Sequence, residues 1–109
     1  MKNNLLYQIA LTMINGVGDI LARHLLESFG DAEAIFTEKK RLLEKVPGIG
    51  EVLSTEIRRP EVLEQAEKEV SFIEKNQITP FFLTDKGYPE RLRQCVDAPI
   101  LFYFKGKAD

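Results

Sequence analysis

Residues 4 to 14 place Leu5, Ile9 and Met13 on one side, with Leu6, Ala10 and Ile14 beside them, at the three-to-four spacing of an amphipathic helix. Asn15-Gly16-Val17-Gly18 stops that helix. Asp19 is placed to cap a second one, whose stripe of Ile20, Leu21, Leu25, Leu26 and Phe29 runs up to Gly30. The pattern predicts helix, short turn, helix. Asp31 opens a short helix through Ile35 and Phe36, and Thr37 begins another that carries Leu42, Leu43 and Val46. Pro47-Gly48-Ile49-Gly50 is a second interruption, after which residues 51 to 58 resume on Val52, Leu53 and Ile57. Pro60 suits the first turn of a longer, Glu-rich helix reaching about Asn76.

After Gln77 the period changes. Ile78 to Thr84 is rich in β-branched and aromatic residues and predicts a strand, and Asp85-Lys86-Gly87 predicts a turn in which Asp85 bonds its own backbone. Pro89 starts a short helix with Leu92, Cys95 and Val96, and the continuous apolar run Ile100 to Phe104 reads as a second, interior strand. Strand, helix, strand in that order predicts one right-handed crossover of an α/β sheet. Two strands alone bury too little to be stable, so they must pack on the helical part or on a partner chain.

Composition narrows the class. The chain has 109 residues, 44% of them hydrophobic, with 15 basic and 17 acidic side chains, one His, one Cys and no Trp. No apolar run is long enough to span a bilayer, a single thiol cannot form an intrachain bridge, and MKNNLLYQIA lacks the apolar core of a signal peptide. A cytoplasmic location is therefore expected. The net charge of −2 provides no overall attraction to nucleic acid, and the acidic excess falls on the long helix over 61 to 76. Any nucleic-acid contact must be local.

Such a contact has candidates in Gly16-Val17-Gly18 and Gly48-Ile49-Gly50, two turns of the form G-h-G, with h apolar, each joining one helix to the next. Glycine allows positive φ and lets another backbone approach. The unpaired amides at the start of the following helix can donate to a phosphate oxygen and fix position without reading sequence. Arg23, Arg58 and Arg59 are the nearest cations, while Asp19 and Glu51 directly after the glycines oppose an anion. Equally, G-h-G is the tightest joint between two antiparallel helices and needs no ligand. The second copy, Leu43-(three residues)-Pro47-Gly48-Ile49-Gly50-(six residues)-Ile57, matches the helix-hairpin-helix consensus in order and spacing; the first has Asn15 in place of the proline.

Paired hairpins, an acidic helix, Tyr88-Pro89-(two residues)-Leu92 and then Ala98-Pro99-Ile100-Leu101-Phe102-Tyr103-Phe104-Lys105-Gly106 together resemble the DprA (Smf) family of bacterial DNA-processing proteins of natural transformation. The resemblance runs over essentially the whole chain. It implies a mainly α fold, a helical bundle with two helix-hairpin-helix motifs (SAM-like) over residues 1–77, followed over 78–109 by a short β-α-β fragment of a truncated Rossmann-like sheet. It also implies a mediator rather than an enzyme: the family binds single-stranded DNA and loads the RecA recombinase, with dimerisation and the main DNA pocket in the part beyond Gly106. This chain would then be an accessory DNA-backbone-binding domain or, alternatively, a SAM-like protein-interaction or regulatory module acting through the acidic face of residues 61 to 74. Tyr88 and Pro89 read as structural, the tyrosine packing on the sheet.

No catalytic constellation competes. His24 has no second ligand at metal spacing, Cys95 has no activating partner and is expected to be a small buried side chain, and neither a Walker nor a dinucleotide motif follows a strand. No cofactor is expected.

Overall fold

The structure is a computed structural model and describes residues 2–105, with side chains from 4 to 104. Over that range the elements are helices α1 (Lys2–Thr12), α2 (Asp19–Phe29), α3 (Ala32–Thr37), α4 (Lys40–Leu43), α5 (Glu51–Ile57) and α6 (Pro60–Lys75), strand β1 (Ile78–Phe82), helix α7 (Glu90–Arg93) and strand β2 (Leu101–Lys105). The Gly106 that ends the family-like motif lies outside the described residues.

The middle of the fold is α1. Ile9, Ala10 and Leu11 are consecutive and all fully buried, which one face of a helix cannot achieve. Neighbours therefore surround it: α6 and α3 pack along it, and α2 and β2 touch it. On α6 the buried residues Val62, Ala66 and Ile73 recur at helical spacing and leave the glutamates outside. Each fully buried leucine or isoleucine in such a core contributes about 1.5–3 kcal/mol.

Local signals set most boundaries. Asp31 caps α3 by accepting from the Ala34 N–H at 2.8 Å, and Pro60 opens α6. Asp19 does not cap α2: Gly18 is the cap residue, and the aspartate is the first helical residue. Thr37 does not open a helix but closes α3. Its hydroxyl donates to the carbonyls of Glu33 and Ala34 at 3.2 and 3.3 Å, and the chain stays extended through Lys39 before α4 makes its single turn.

The expected parallel crossover is overturned. β1 and β2 pair antiparallel, Phe81 facing Phe102 and Phe82 facing Leu101. The connector holds just one short helix, the four residues of α7. Such a helix rises only about 6 Å, against roughly 17 Å for the strand length a crossover must retrace. Hydrogen bonds also hold the connector at the end of β1 that it leaves. Asp85 donates its N–H to Phe82 O at 2.8 Å and accepts from Phe82 N–H at 2.9 Å, as its turn predicted, and Arg93 Nε donates to Leu83 O at 2.9 Å.

One face of the ribbon lies on the helices: Phe82 joins the same buried cluster as Ile9 and Leu25, and Tyr103 donates its hydroxyl to Glu69 of α6 at 2.9 Å. The other face is covered by the connector. Phe81 stacks on Phe102 at 5.2 Å, and Tyr88 meets Phe102 edge-on at 5.3 Å while its hydroxyl donates to Pro99 O at 2.5 Å. The tyrosine is thus a packing residue, as expected. Among the described residues, however, β2 is not an interior strand, since the sheet there has two strands and Tyr103 and Phe104 are 39% and 42% exposed. Cys95 is likewise exposed rather than buried, because α7 has ended and the chain turns outward there.

Candidate nucleic-acid interface

The two G-h-G turns have nearly the same geometry. Gly16 and Gly48 take φ of +86° and +90°, a region that favours glycine. Val17 and Ile49 point into the core, and their N–H groups donate to Ile14 O at 3.2 Å and Val46 O at 2.9 Å. Gly18 and Gly50 then cap α2 and α5 with φ of −90° and −104°, and their carbonyls accept from Ala22 and Ser54 at 2.9 and 3.0 Å.

Each turn also receives a leucine from the other motif. A Cβ on Gly16 would lie 2.6 Å from Leu53 Cδ2 of α5, and one on Gly48 would lie 2.4 Å from Leu21 Cδ2 of α2. The exchange is reciprocal and sets the hairpins side by side. By sequence alone, Leu21 and Leu53 read only as helix-stripe residues. The signal for their role was present in Gly16-Val17-Gly18-Asp19-Ile20-Leu21 against Gly48-Ile49-Gly50-Glu51-Val52-Leu53, the same pattern of residue classes at one spacing.

The glycines therefore divide into two kinds. Gly16 and Gly48 are required by their φ and by the incoming leucines. Gly18 and Gly50 take conformations open to any residue, and a Cβ there would meet nothing within 4 Å. Among the described residues, the N–H groups of Gly18, Asp19 and Ile20, and of Gly50, Glu51 and Val52, have no protein acceptor. Gly18 and Gly50 are exposed.

The cations are less available. Arg23 faces its own chain, donating from Nη1 to Cys95 O at 2.9 Å and from Nη2 to Arg93 O at 3.0 Å. Arg58 donates to Glu38 O at 2.7 Å. Arg59 lies 3.4 Å from carboxylates of both Glu56 and Glu61, and its proton is held more firmly than usual by hydrogen bonding to and the charge of Glu56, then of Glu61. Asp19 is also engaged, accepting from the Ile100 N–H at 3.1 Å, so that α2 beside the first hairpin anchors the segment entering β2. Glu51 holds the same place in the second hairpin and is exposed.

A cleft of about 260 Å³ beside α2 brings His24 and Cys95 together with Ile20 and Val96; His24 Nδ1 is buried there without a hydrogen-bond partner. Among the described residues no three His, Cys, Asp or Glu side chains are grouped to hold a metal ion, and no helix is long and apolar enough to cross a membrane. Compared with protein-family models, curated proteins and solved structures, the chain matches none of them.

Proposed function

We propose that this chain is the N-terminal part of a DprA-like DNA-processing protein and that its paired hairpins grip nucleic-acid phosphates without reading sequence. The observation that carries this reading is the pair Gly18 and Gly50. Neither their φ nor any neighbour within the chain asks for glycine, whereas an external group approaching the amides beside them would. In that role Gly16, Val17, Gly48 and Ile49 build the corners, and Gly18 and Gly50 face the phosphate. Arg58 contributes charge, and Arg59 contributes once DNA draws it from its carboxylates. Arg23 is taken up by the tie to residues 93 and 95. In the whole protein such a grip would assist a mediator that binds single-stranded DNA and loads a RecA recombinase, without chemistry of its own.

The test is fluorescence anisotropy of labelled single- and double-stranded oligonucleotides with the full chain at low salt, repeated with Gly18→Ser and Gly50→Ser. Saturable binding that weakens on raising salt and falls several-fold in either variant supports the reading. The absence of saturable binding, or binding indifferent to both variants, removes it.

A second reading is favoured by a separate observation. Asp19 and Arg23, which flank the first hairpin, are spent on the chain's own segment 93–100, and the Glu-rich outer face of α6 is open. Such a domain would act as a SAM-like interaction or regulatory module. It predicts no DNA binding in the same titration, with associations of the longer protein that are lost when residues 1–77 are removed.

A further inference from the structure

Two clefts adjoin along α2. The one of about 260 Å³ runs from Ile20 past His24 to Gln94, Cys95 and Val96 of the connector. A second, of about 420 Å³, continues from Leu26 and Gly30 to Leu83, Thr84 and Arg93. Arg23 and Glu27 line both, so the two form one groove between α2 and the connector. Between Ile20 and Gly30 the helix rises about 15 Å. Every lining residue lies between Ile20 and Val96, well inside the described range.

The groove is locally basic in a chain whose net charge is −2, since its walls carry the guanidiniums of Arg23 and Arg93 against the single carboxylate of Glu27. Elsewhere the clefts are acidic: Glu64 and Glu67 flank Lys68 on α6, and Glu56 and Glu61 flank Arg59. Backbone carbonyls fix the groove's two arginines, Arg23 through Cys95 O and Arg93 O, and Arg93 through Leu83 O and Asp85 O. A carbonyl orients a guanidinium without cancelling its charge, and each Nη keeps a second proton to donate. Glu27 and Glu90 approach them at 4.0 and 2.9 Å, but both carboxylates are exposed and screened by water.

We infer that this groove holds a single nucleic-acid strand by its phosphates and continues the path that begins at the first hairpin. Ile20 joins the two, because its unpaired N–H belongs to the hairpin and its side chain lines the groove. The tie that turns Arg23 away from the hairpin sets it at the groove's centre, where a planar guanidinium suits phosphate oxygens. Buried Leu26 and Leu83 and exposed Val96 give sugars and bases an aliphatic surface that accepts any base. A cleft recessed between a helix and a loop admits one strand and excludes a paired duplex. The inference rests on the nucleic-acid reading for the class of ligand, but its residues are separate from the corner glycines.

The experiment follows alkylation of Cys95, the chain's one cysteine, by iodoacetamide in the full chain at low salt, with and without saturating oligothymidylate. The strand should slow alkylation several-fold, and a duplex of equal length or inorganic phosphate should not. Thr84→Glu and Gln94→Glu, exposed positions in the two clefts, each place a carboxylate in the groove and should weaken anisotropy-measured binding several-fold. Binding that leaves Cys95 reactive and ignores both variants, yet falls in Gly18→Ser or Gly50→Ser, overturns the groove and leaves the hairpin reading standing. The reverse pattern supports the groove and removes the hairpins. Equal shielding by duplex or by inorganic phosphate overturns the single-strand assignment, and no binding at all overturns both readings. Should a variant fail to fold by circular dichroism, shielding of Cys95 in the parent decides alone.

Discussion

Leu21 of α2 rests against the bare Cα of Gly48, and Leu53 of α5 makes the same contact with Gly16. Each hairpin thus supplies the cavity that the other's helix fills, so neither corner can change without moving a leucine two elements away.

Substitution should separate the two kinds of glycine. Gly16→Ala and Gly48→Ala force a side chain into positive φ and into a leucine methyl, and each should cost about 2–4 kcal/mol of unfolding free energy. Gly18→Ser and Gly50→Ser put a good capping residue into open space and should stay within about 0.5 kcal/mol of the parent. Urea denaturation of the four variants checks the division.

The seating also predicts coupling. Leu21→Ala removes the atom that a methyl on Gly48 would strike, so Gly48→Ala should cost about 1 kcal/mol less in that background than alone. A double-mutant cycle measures it. Additive costs would mean that the strained φ, not the leucine, dominates.

Arg93 holds the connector at four points. It donates to Leu83 O and Asp85 O, pairs with Glu90 at 2.9 Å, and lies 5.5 Å from the centre of the Tyr88 ring. Lysine cannot reproduce that fork. Arg93→Lys should destabilise the fold by about 1–2 kcal/mol and speed amide exchange in residues 83–100 before it affects α1. Equal acceleration throughout the protein would place the arginine in the global core instead.

Burial raises the hydroxyl pKa of Tyr88 above its ordinary 10, although the nearby Arg23 and Arg93 pull the other way, and burial followed by hydrogen bonding to Glu69 raises that of Tyr103 as well. A raised folded-state value means that the unfolded chain loses its proton first. The stability these groups confer is therefore complete below about pH 10 and is lost as pH climbs past it. Tyr88→Phe should cost about 1–2 kcal/mol at neutral pH, through the bond to Pro99, while making the alkaline decline shallower. Urea midpoints taken from neutral to alkaline pH test both signs.

Cys95 is exposed and should react with a thiol reagent in the folded protein at a rate near that of the unfolded chain. Labelling that requires denaturant would restore the buried side chain expected from its apolar neighbours.

The helices were legible because their signals are local. Apolar spacing marked α1, α2 and α6, the Asp31 carboxylate and Pro60 ring act within one turn of themselves, and two glycine corners interrupted the chain where the structure turns. Errors of placement arose where a neighbour competed for the same backbone, as when the Thr37 hydroxyl closed α3 instead of opening α4. At the candidate site the corner glycines could be read from sequence, whereas the role of Arg23 could not, because its acceptors are carbonyls about seventy positions away.

What the sequence determined by itself was therefore the order of the elements, the position of each hairpin and the near-neutral surface around them, all of which depend on residues within a turn or two of one another. Tertiary structure decided that β2 runs against β1, that Leu21 and Leu53 exchange places over the glycines, and that Asp19 and Arg23 hold the chain's own backbone. Those outcomes depend on which distant groups arrive at hydrogen-bonding or van der Waals distance, and periodicity along a chain carries no record of that.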